Sequence, residues 1–352
     1  MNDPCALAGA DLRGSVPPGF LDASATDLHR LLPRPTLLDL PGRRAQPLFV
    51  SILLHGNEDT GLRAIQQVLR SHGDHALPRR LLLFIGNVAA ARAGLRHLDE
   101  QPDYNRVWPG TREVNLPEAR MLEAVTAYVA QNRPWASIDI HNNTGLNPHY
   151  ACVNRLDAAT LQLARLFSRI VVYFVRPLGV QSAAMASLCP AITVECGKAG
   201  TTQGDAHAAA LVEAALQMDH LPAHPPRPED LAVYHTIATV RVASERTFSF
   251  GASPAEIVFA PDIERWNFSD LDAGTPWAQV GEVDRALVVT DEAGDDVTDR
   301  YFACAHNRFV LQRPVTPAML TRDARVIRQD CLCYLMEHHA PGAATPHPGH
   351  HG

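Results

Sequence analysis

Four short strings hold residues able to do chemistry. In Leu54-His55-Gly56-Asn57-Glu58-Asp59-Thr60, His55 and Glu58 stand three apart. An imidazole nitrogen and a carboxylate oxygen both suit Zn²⁺, and His/Glu sets with one open position are typical of catalytic zinc. Gly56 between them would let the backbone turn tightly. In Ile138-Asp139-Ile140-His141-Asn142-Asn143, His141 ends an apolar stretch and could supply a third ligand. Asp139, two residues back and so on the same strand face, could accept from the other ring N–H of His141. Glu195 follows the apolar stretch Ala191–Val194. A carboxylate there is costly to bury unless it is paired or at the mouth of a site. Beside a metal it could take a proton from water and later return it to a leaving amine. In Pro102-Asp103-Tyr104-Asn105-Arg106-Val107-Trp108, Arg106 offers a planar fork to a carboxylate, Asn105 adds an amide, and Arg96 could donate to an oxyanion. Taken singly, each string also fits an ordinary loop histidine, a satisfied core histidine, a strand-end carboxylate or a surface ion pair.

The elements that must position these residues can be read from the apolar pattern. Leu48–Leu54 and Leu81–Ile85 are nearly continuous apolar runs, the mark of strands buried on both faces. Between them Leu62, Ile65, Val68 and Leu69 repeat at helical spacing, with Asp59 or Thr60 as N-cap and Gly73 past the end. Strand, helix, strand predicts a parallel pair. The alternation continues with a helix from Pro117, started by an Asn115-x-x-Glu118 capping pattern, and strands at 138–141, 150–153, 170–175 and 191–195. Helices are expected near 157–167 and 208–216. Within the Pro- and Gly-rich first 45 residues, one helical stretch is expected at 22–32. Every candidate then follows a buried strand, where ligands of open α/β sheets gather.

Residues 221–230 hold four prolines, the composition of an extended linker. Beyond them helical periodicity gives way to short apolar runs at 237–242, 256–259, 286–289 and 308–311. The expected fold is α/β, a mixed central sheet flanked by helices and followed by a small all-β domain. The expected limits are 1–222 for the catalytic domain, 228–340 for the β-rich domain and 341–352 for a disordered His-rich tail. Cys331-Leu-Cys333 is too tight for zinc-ribbon spacing and reads as strand. Tyr301 has no motif to tie it to the site.

Of 352 residues, 31 are Lys or Arg and 38 Asp or Glu, a net charge of −7. That balance argues against a nucleic-acid binder and against an anionic membrane as partner. No apolar run is long enough to span a bilayer and no secretory signal is visible. Seven Cys, odd and sparse, read as reduced thiols, so a cytoplasmic location is expected. Seventeen His exceed what a core needs.

The combination His-Gly-Asn-Glu, Asp-x-Asn-Arg, Asp-x-His-Asn and a strand carrying Glu-x-Gly resembles the succinylglutamate desuccinylase/aspartoacylase family of zinc-carboxypeptidase-like hydrolases. The likeness spans roughly residues 45 to 220. It implies one Zn²⁺ per chain held by His55, Glu58 and His141, with Glu195 as general base. Asn105 and Arg106 match the pair that holds a substrate carboxylate, Arg96 the arginine that polarises the scissile carbonyl, and Asn142 is placed with the substrate-binding residues. Two extra residues separate Arg96 from the Asn-Arg pair, and Cys196 replaces a smaller or apolar residue. The implied reaction is hydrolysis of an amide in a small, carboxylate-bearing N-acyl amino acid. A carboxypeptidase for short peptides and a non-catalytic zinc-binding protein are the rival readings. The expected partner is a small molecule, and a homo-oligomer stays open.

Overall fold

The apolar runs on either side of the first helix form the centre of the sheet. In the computed structural model, which describes residues 6–251, 253–281 and 286–339, they are the strands Gly42–Ile52 and Leu77–Ile85, paired in parallel. Cys5 and the expected tail at 341–352 lie outside the described residues. Gly42–Ile52 also pairs in parallel with Ala136–Asn143, which pairs in parallel with Ala191–Lys198. Thr36–Leu40 and Tyr150–Val153 add antiparallel neighbours, so the sheet is mixed.

Alternating side chains of these strands feed two layers. Val50, Ile52, Leu81 and Leu83 pack with Leu62, Ile65 and Val68 of the helix Thr60–His72 and with Leu211 and Val212 of Thr202–Gln217. Phe49, Leu82 and Phe84 turn the other way, against Met121, Leu122, Val125 and Val129 of Pro117–Gln131. Both faces of the sheet are covered, which is why its strands read as unbroken apolar runs.

The strand Ala232–Val242 joins the two halves of the chain. Its first residues, Ala232–His235, extend the main sheet in parallel with Ile170–Tyr173. From Tyr234 on it also pairs antiparallel with Cys333–His338, and from Ala238 on with Leu287–Asp291. A separate apolar core, built around Val240, Phe259, Trp277, Phe302 and Leu335, lies beyond it. A second sheet runs in the order Phe248–Phe250, Ile257–Phe259, Pro276–Val280, Arg308–Leu311, Phe302–Ala305. The C-terminal part is thus rich in sheet, with only short helices such as Ala324–Gln329.

Some local expectations need correction. Residues 22–32 form no α-helix; two 3₁₀ turns stand there, Phe20–Asp22 and Leu28–Arg30. Between them the Ser24 hydroxyl accepts from the backbone N–H of Asp27, a local bond that competes with helix. Three strands of the first 45 residues, Ala6–Leu7, Ala10–Arg13 and Thr36–Leu40, were not read from the sequence. The helix at Pro117 starts from Leu116 without a side-chain cap, so Asn115 does not cap it. Of the Cys331/Cys333 pair, only Cys333 lies in a strand.

Candidate metal centre and active site

Three parallel strands converge on one point. The loop after Gly42–Ile52 carries His55 and Glu58, Ala136–Asn143 carries His141, and Ala191–Lys198 carries Glu195. The ladder register sets His141 directly opposite Glu195, and Ser51 opposite Asp139. All four side chains are buried at the bottom of a cleft holding about 910 Å³ of empty space, open solvent at its mouth included.

The loop needs Gly56 for space. A Cβ there would stand 2.1 Å from the Ala91 nitrogen, so the chain passes directly over the helix Val88–Ala93. The tight turn expected of it is not the constraint. The left-handed residue of this segment is Leu53, at φ 54°, a costly conformation for a buried side chain just before His55.

His55, Glu58 and His141 fit a divalent metal. The Nδ1 atoms of His55 and His141 lie 3.1 Å apart, and each is 2.8 Å from an oxygen of Glu58. Ligands about 2.0–2.1 Å from a tetrahedral zinc stand about 3.3 Å from one another. The outer nitrogens are held by carboxylates: His55 Nε2 is 2.9 Å from Asp103 Oδ1 and His141 Nε2 is 2.7 Å from Asp139 Oδ2. With protons on those outer nitrogens, two lone pairs and a carboxylate face each other, an arrangement that calls for a cation. Ser51 donates to the other oxygen of Asp139 at 2.6 Å. Among the described residues this is the group of His, Cys and acidic side chains arranged to hold an ion.

The electrostatics carry the same demand. Burial would push the Glu58 carboxyl up, but His55 and His141 pull it far below the ordinary range. Burial would lower His141, yet Asp139 and Glu58 hold its ring nitrogen protonated well above the usual value. A proton and a metal ion therefore compete for the same cluster. Glu195 behaves in the opposite sense, pushed up from 4.5 to about 7 by burial first, with Glu58 adding to the effect. Asn143 donates from Nδ2 to Glu195 at 3.0 Å, and the Tyr150 hydroxyl donates to Asn143 Oδ1 at 3.3 Å.

The arginines line the same cleft. Arg96 donates through Nε and Nη2 to Asp103 at 3.2 and 2.9 Å, and its Nη1 lies 3.7 Å from Glu58. Arg106 donates to the carbonyl of Asn105 at 2.9 Å and to Asp330 at 2.8 Å. The Asn105 side chain accepts from the Gln181 N–H at 2.9 Å, and its Nδ2 is 3.3 Å from His141 Nε2. Asn142 ties the site together: its N–H donates to Glu58 at 3.1 Å, and its amide bridges the Thr60 N–H and the Gly197 carbonyl. Tyr301 is buried away from this cleft, in the second core that also holds Trp277 and Phe302. Cys152 and Cys331 line the cleft, but burial raises both thiols, Cys331 to about 12, which leaves neither reactive.

Several residues of this arrangement were not assigned from sequence, Asp103, Asn143 and Asp330 among them. Asp103 and Asn143 sit inside strings already singled out, beside Asn105 and Asn142. Asp330 had no signal, because only folding brings it to the arginines.

Comparison with known proteins places this geometry. The succinylglutamate desuccinylase/aspartoacylase catalytic domain matches residues 45–221, half of the chain. Succinylglutamate desuccinylase from Burkholderia thailandensis is 37% identical over 114 residues, which are 28% of this chain and 31% of that protein. The enzyme of the same name from Serratia proteamaculans is 36% identical over 109 residues, 30% of this chain and 32% of its own. The matched stretch thus spans about a third of the length of these relatives. The crystal structure of succinylglutamate desuccinylase from Chromobacterium violaceum superposes with a TM-score of 0.57 at 17% identity, over 86% of this chain and 87% of that one. Murine aminoacylase 3 superposes with a TM-score of 0.55 at 15% identity, over 84% and 96%. At these identities the two structures show a common fold.

Proposed function

The chain belongs to the succinylglutamate desuccinylase/aspartoacylase family, and from that premise we propose that it is a zinc-dependent hydrolase cleaving the amide bond of a small, carboxylate-bearing N-acyl amino acid or related amide. The observation that carries the reading is the convergence of His55, Glu58 and His141 with Glu195 on the neighbouring strand. The relatives' names, desuccinylase and aminoacylase, point to N-acyl amino acids.

His55, Glu58 and His141 would hold one zinc ion, which when bound supplies Lewis acidity and makes water more acidic. Glu195 takes a proton from the attacking water and returns it to the leaving amine. Its carboxyl, lifted by burial to about 7, is matched to proton transfer near neutral pH. Asn143 holds one oxygen of that carboxylate and so aims the other. Arg96 is anchored by Asp103 with Nη1 turned toward Glu58, in place to donate to the developing oxyanion. Arg106 and Asn105 orient the substrate carboxylate. Asn142 lines the cleft beside the substrate while its contacts to Thr60 and Gly197 fix the loop. Asp103 and Asp139 orient the two histidines.

We keep the division at 222–228 as part of this proposal: an apolar core lies on each side of it, while the strand Ala232–Val242 is shared. No helix of the described residues is long and apolar enough to cross a membrane. A small-molecule partner and a cytoplasmic location go with the reading.

A panel of N-acetyl and N-succinyl amino acids against dipeptides, assayed with the zinc-loaded protein, tests it. Release of free amino acid from the acyl compounds is the expected result. Turnover of dipeptides alone would return the carboxypeptidase reading, and no turnover at all the non-catalytic one.

A further inference from the structure

The cleft already contains a carboxylate where the substrate's is expected. Asp330 follows the short helix Ala324–Gln329, in the C-terminal part of the chain. Its Oδ2 accepts from Arg106 Nη2 at 2.8 Å and lies 3.3 Å from Arg96 Nη2. One carboxylate oxygen thus bridges Arg106, the guanidinium that a substrate carboxylate would seek, and the neighbouring Arg96.

This occupant is firmly placed. The Asp330 N–H donates to the Val326 carbonyl at 2.9 Å, and its own carbonyl accepts from Arg241 Nε at 3.0 Å. Burial opposes the charge on its carboxyl, but Arg106 and then Arg96 outweigh it and hold the group ionised below the usual range. Arg106 has also spent Nη1 on the carbonyl of Asn105. Its fork is therefore no longer free along that edge, and an incoming carboxylate meets a fixed negative charge beside the guanidinium it approaches. A neutral amide in the same place accepts from the remaining N–H groups and suffers no such repulsion.

We propose that Asp330 is a specificity-determining residue of this site: an internal carboxylate that shares the Arg106 subsite with the substrate and lets it accept a neutral amide where a carboxylate would otherwise be demanded. This rests on the hydrolase reading above and narrows its carboxylate requirement. Arg176, across the same cleft, is untouched by Asp330, so the effect is confined to the group that reaches Arg106.

The experiment compares an N-acetyl amino acid with its C-terminal carboxamide on the zinc-loaded full chain. In the wild type, kcat/KM for the acid should exceed that for the amide by less than tenfold. In Asp330→Asn that ratio should rise at least tenfold, a change that loss of a merely structural contact would not produce. A wild-type ratio above tenfold, or an unchanged ratio in the variant, overturns the assignment. If Asp330→Asn does not fold, the wild-type ratio decides. If neither compound is hydrolysed, the functional reading fails separately, and calorimetric binding of propionate against propionamide takes the place of turnover. Propionate binding at least tenfold more tightly to the variant than to the wild type supports the role, and equal binding overturns it.

Discussion

Substituting Glu195 by Gln separates the cost of a buried carboxylate from its use. Keeping this group ionised costs the fold 1.36 kcal/mol per pH unit of displacement, so a rise from 4.5 to about 7 amounts to about 3 kcal/mol. The folded state binds the proton more tightly than the unfolded chain. The penalty is therefore absent below pH 4.5, grows between 4.5 and 7, and is complete above 7. Glu195→Gln keeps the shape and can still bond to Asn143, but carries no charge. In chelator-treated protein the variant should match the wild type near pH 4.5 and exceed it at pH 8, by about 3 kcal/mol or roughly 5 °C in melting temperature. In zinc-loaded protein the same change should lower kcat by ~10²-fold or more. Thermal unfolding at the two pH values, beside steady-state rates, reads both. A variant that keeps its rate, or one no more stable at pH 8 than the wild type, would refute the reasoning: the first removes the base, the second the burial cost.

Other outcomes follow from the same site. Zinc binding must displace the proton that Asp139 and Glu58 hold on His141, so affinity should fall as pH falls, with proton release visible by calorimetry in buffers of different ionisation enthalpy. Asp139→Asn and Asp103→Asn should each weaken zinc binding about 10- to 100-fold in a chelator competition, since each removes the carboxylate that orients a ligand histidine. Gly56→Ala should destabilise the protein by about 3 kcal/mol or more in denaturant unfolding, because its Cβ would meet the Ala90–Ala91 backbone and not a flexible side chain.

How far the sequence could be read depends on where each signal comes from. Strands Gly42–Ile52, Leu77–Ile85, Ala136–Asn143 and Ala191–Lys198 announce themselves because helices bury both their faces, leaving unbroken apolar runs. Thr36–Leu40 is defined by its partners, Ala10–Arg13 and Leu77–Ile85, and pairing between distant segments leaves no local mark. In the stretch 22–32, where a helix was expected, the Ser24 hydroxyl bonds to the Asp27 N–H and turns form instead. His55, Glu58, His141 and Glu195 could be proposed because each follows an unbroken apolar run in the sequence. Asp139 could be placed by strand alternation, and it stands 2.7 Å from His141. Asp103 was invisible as the partner of His55 because 48 residues separate them. Asp330 left no local mark, since 224 residues separate it from Arg106.

The position of Asp330 has a consequence for how the protein is made. It stands 224 residues after Arg106 and 234 after Arg96. A ribosome that has reached the proline-rich connection has already delivered every donor of the metal cluster, and both arginines with them. At that moment Asp103 is already available to Arg96, but Arg106 still lacks Asp330, and the strand Ala232–Val242 that ties in the second core has yet to emerge. Vectorial synthesis thus supplies the metal donors first and the residue proposed to moderate substrate charge near the end. A chain interrupted between those two events would leave Arg106 without the carboxylate that Asp330 supplies, and so more open to small anions in its surroundings.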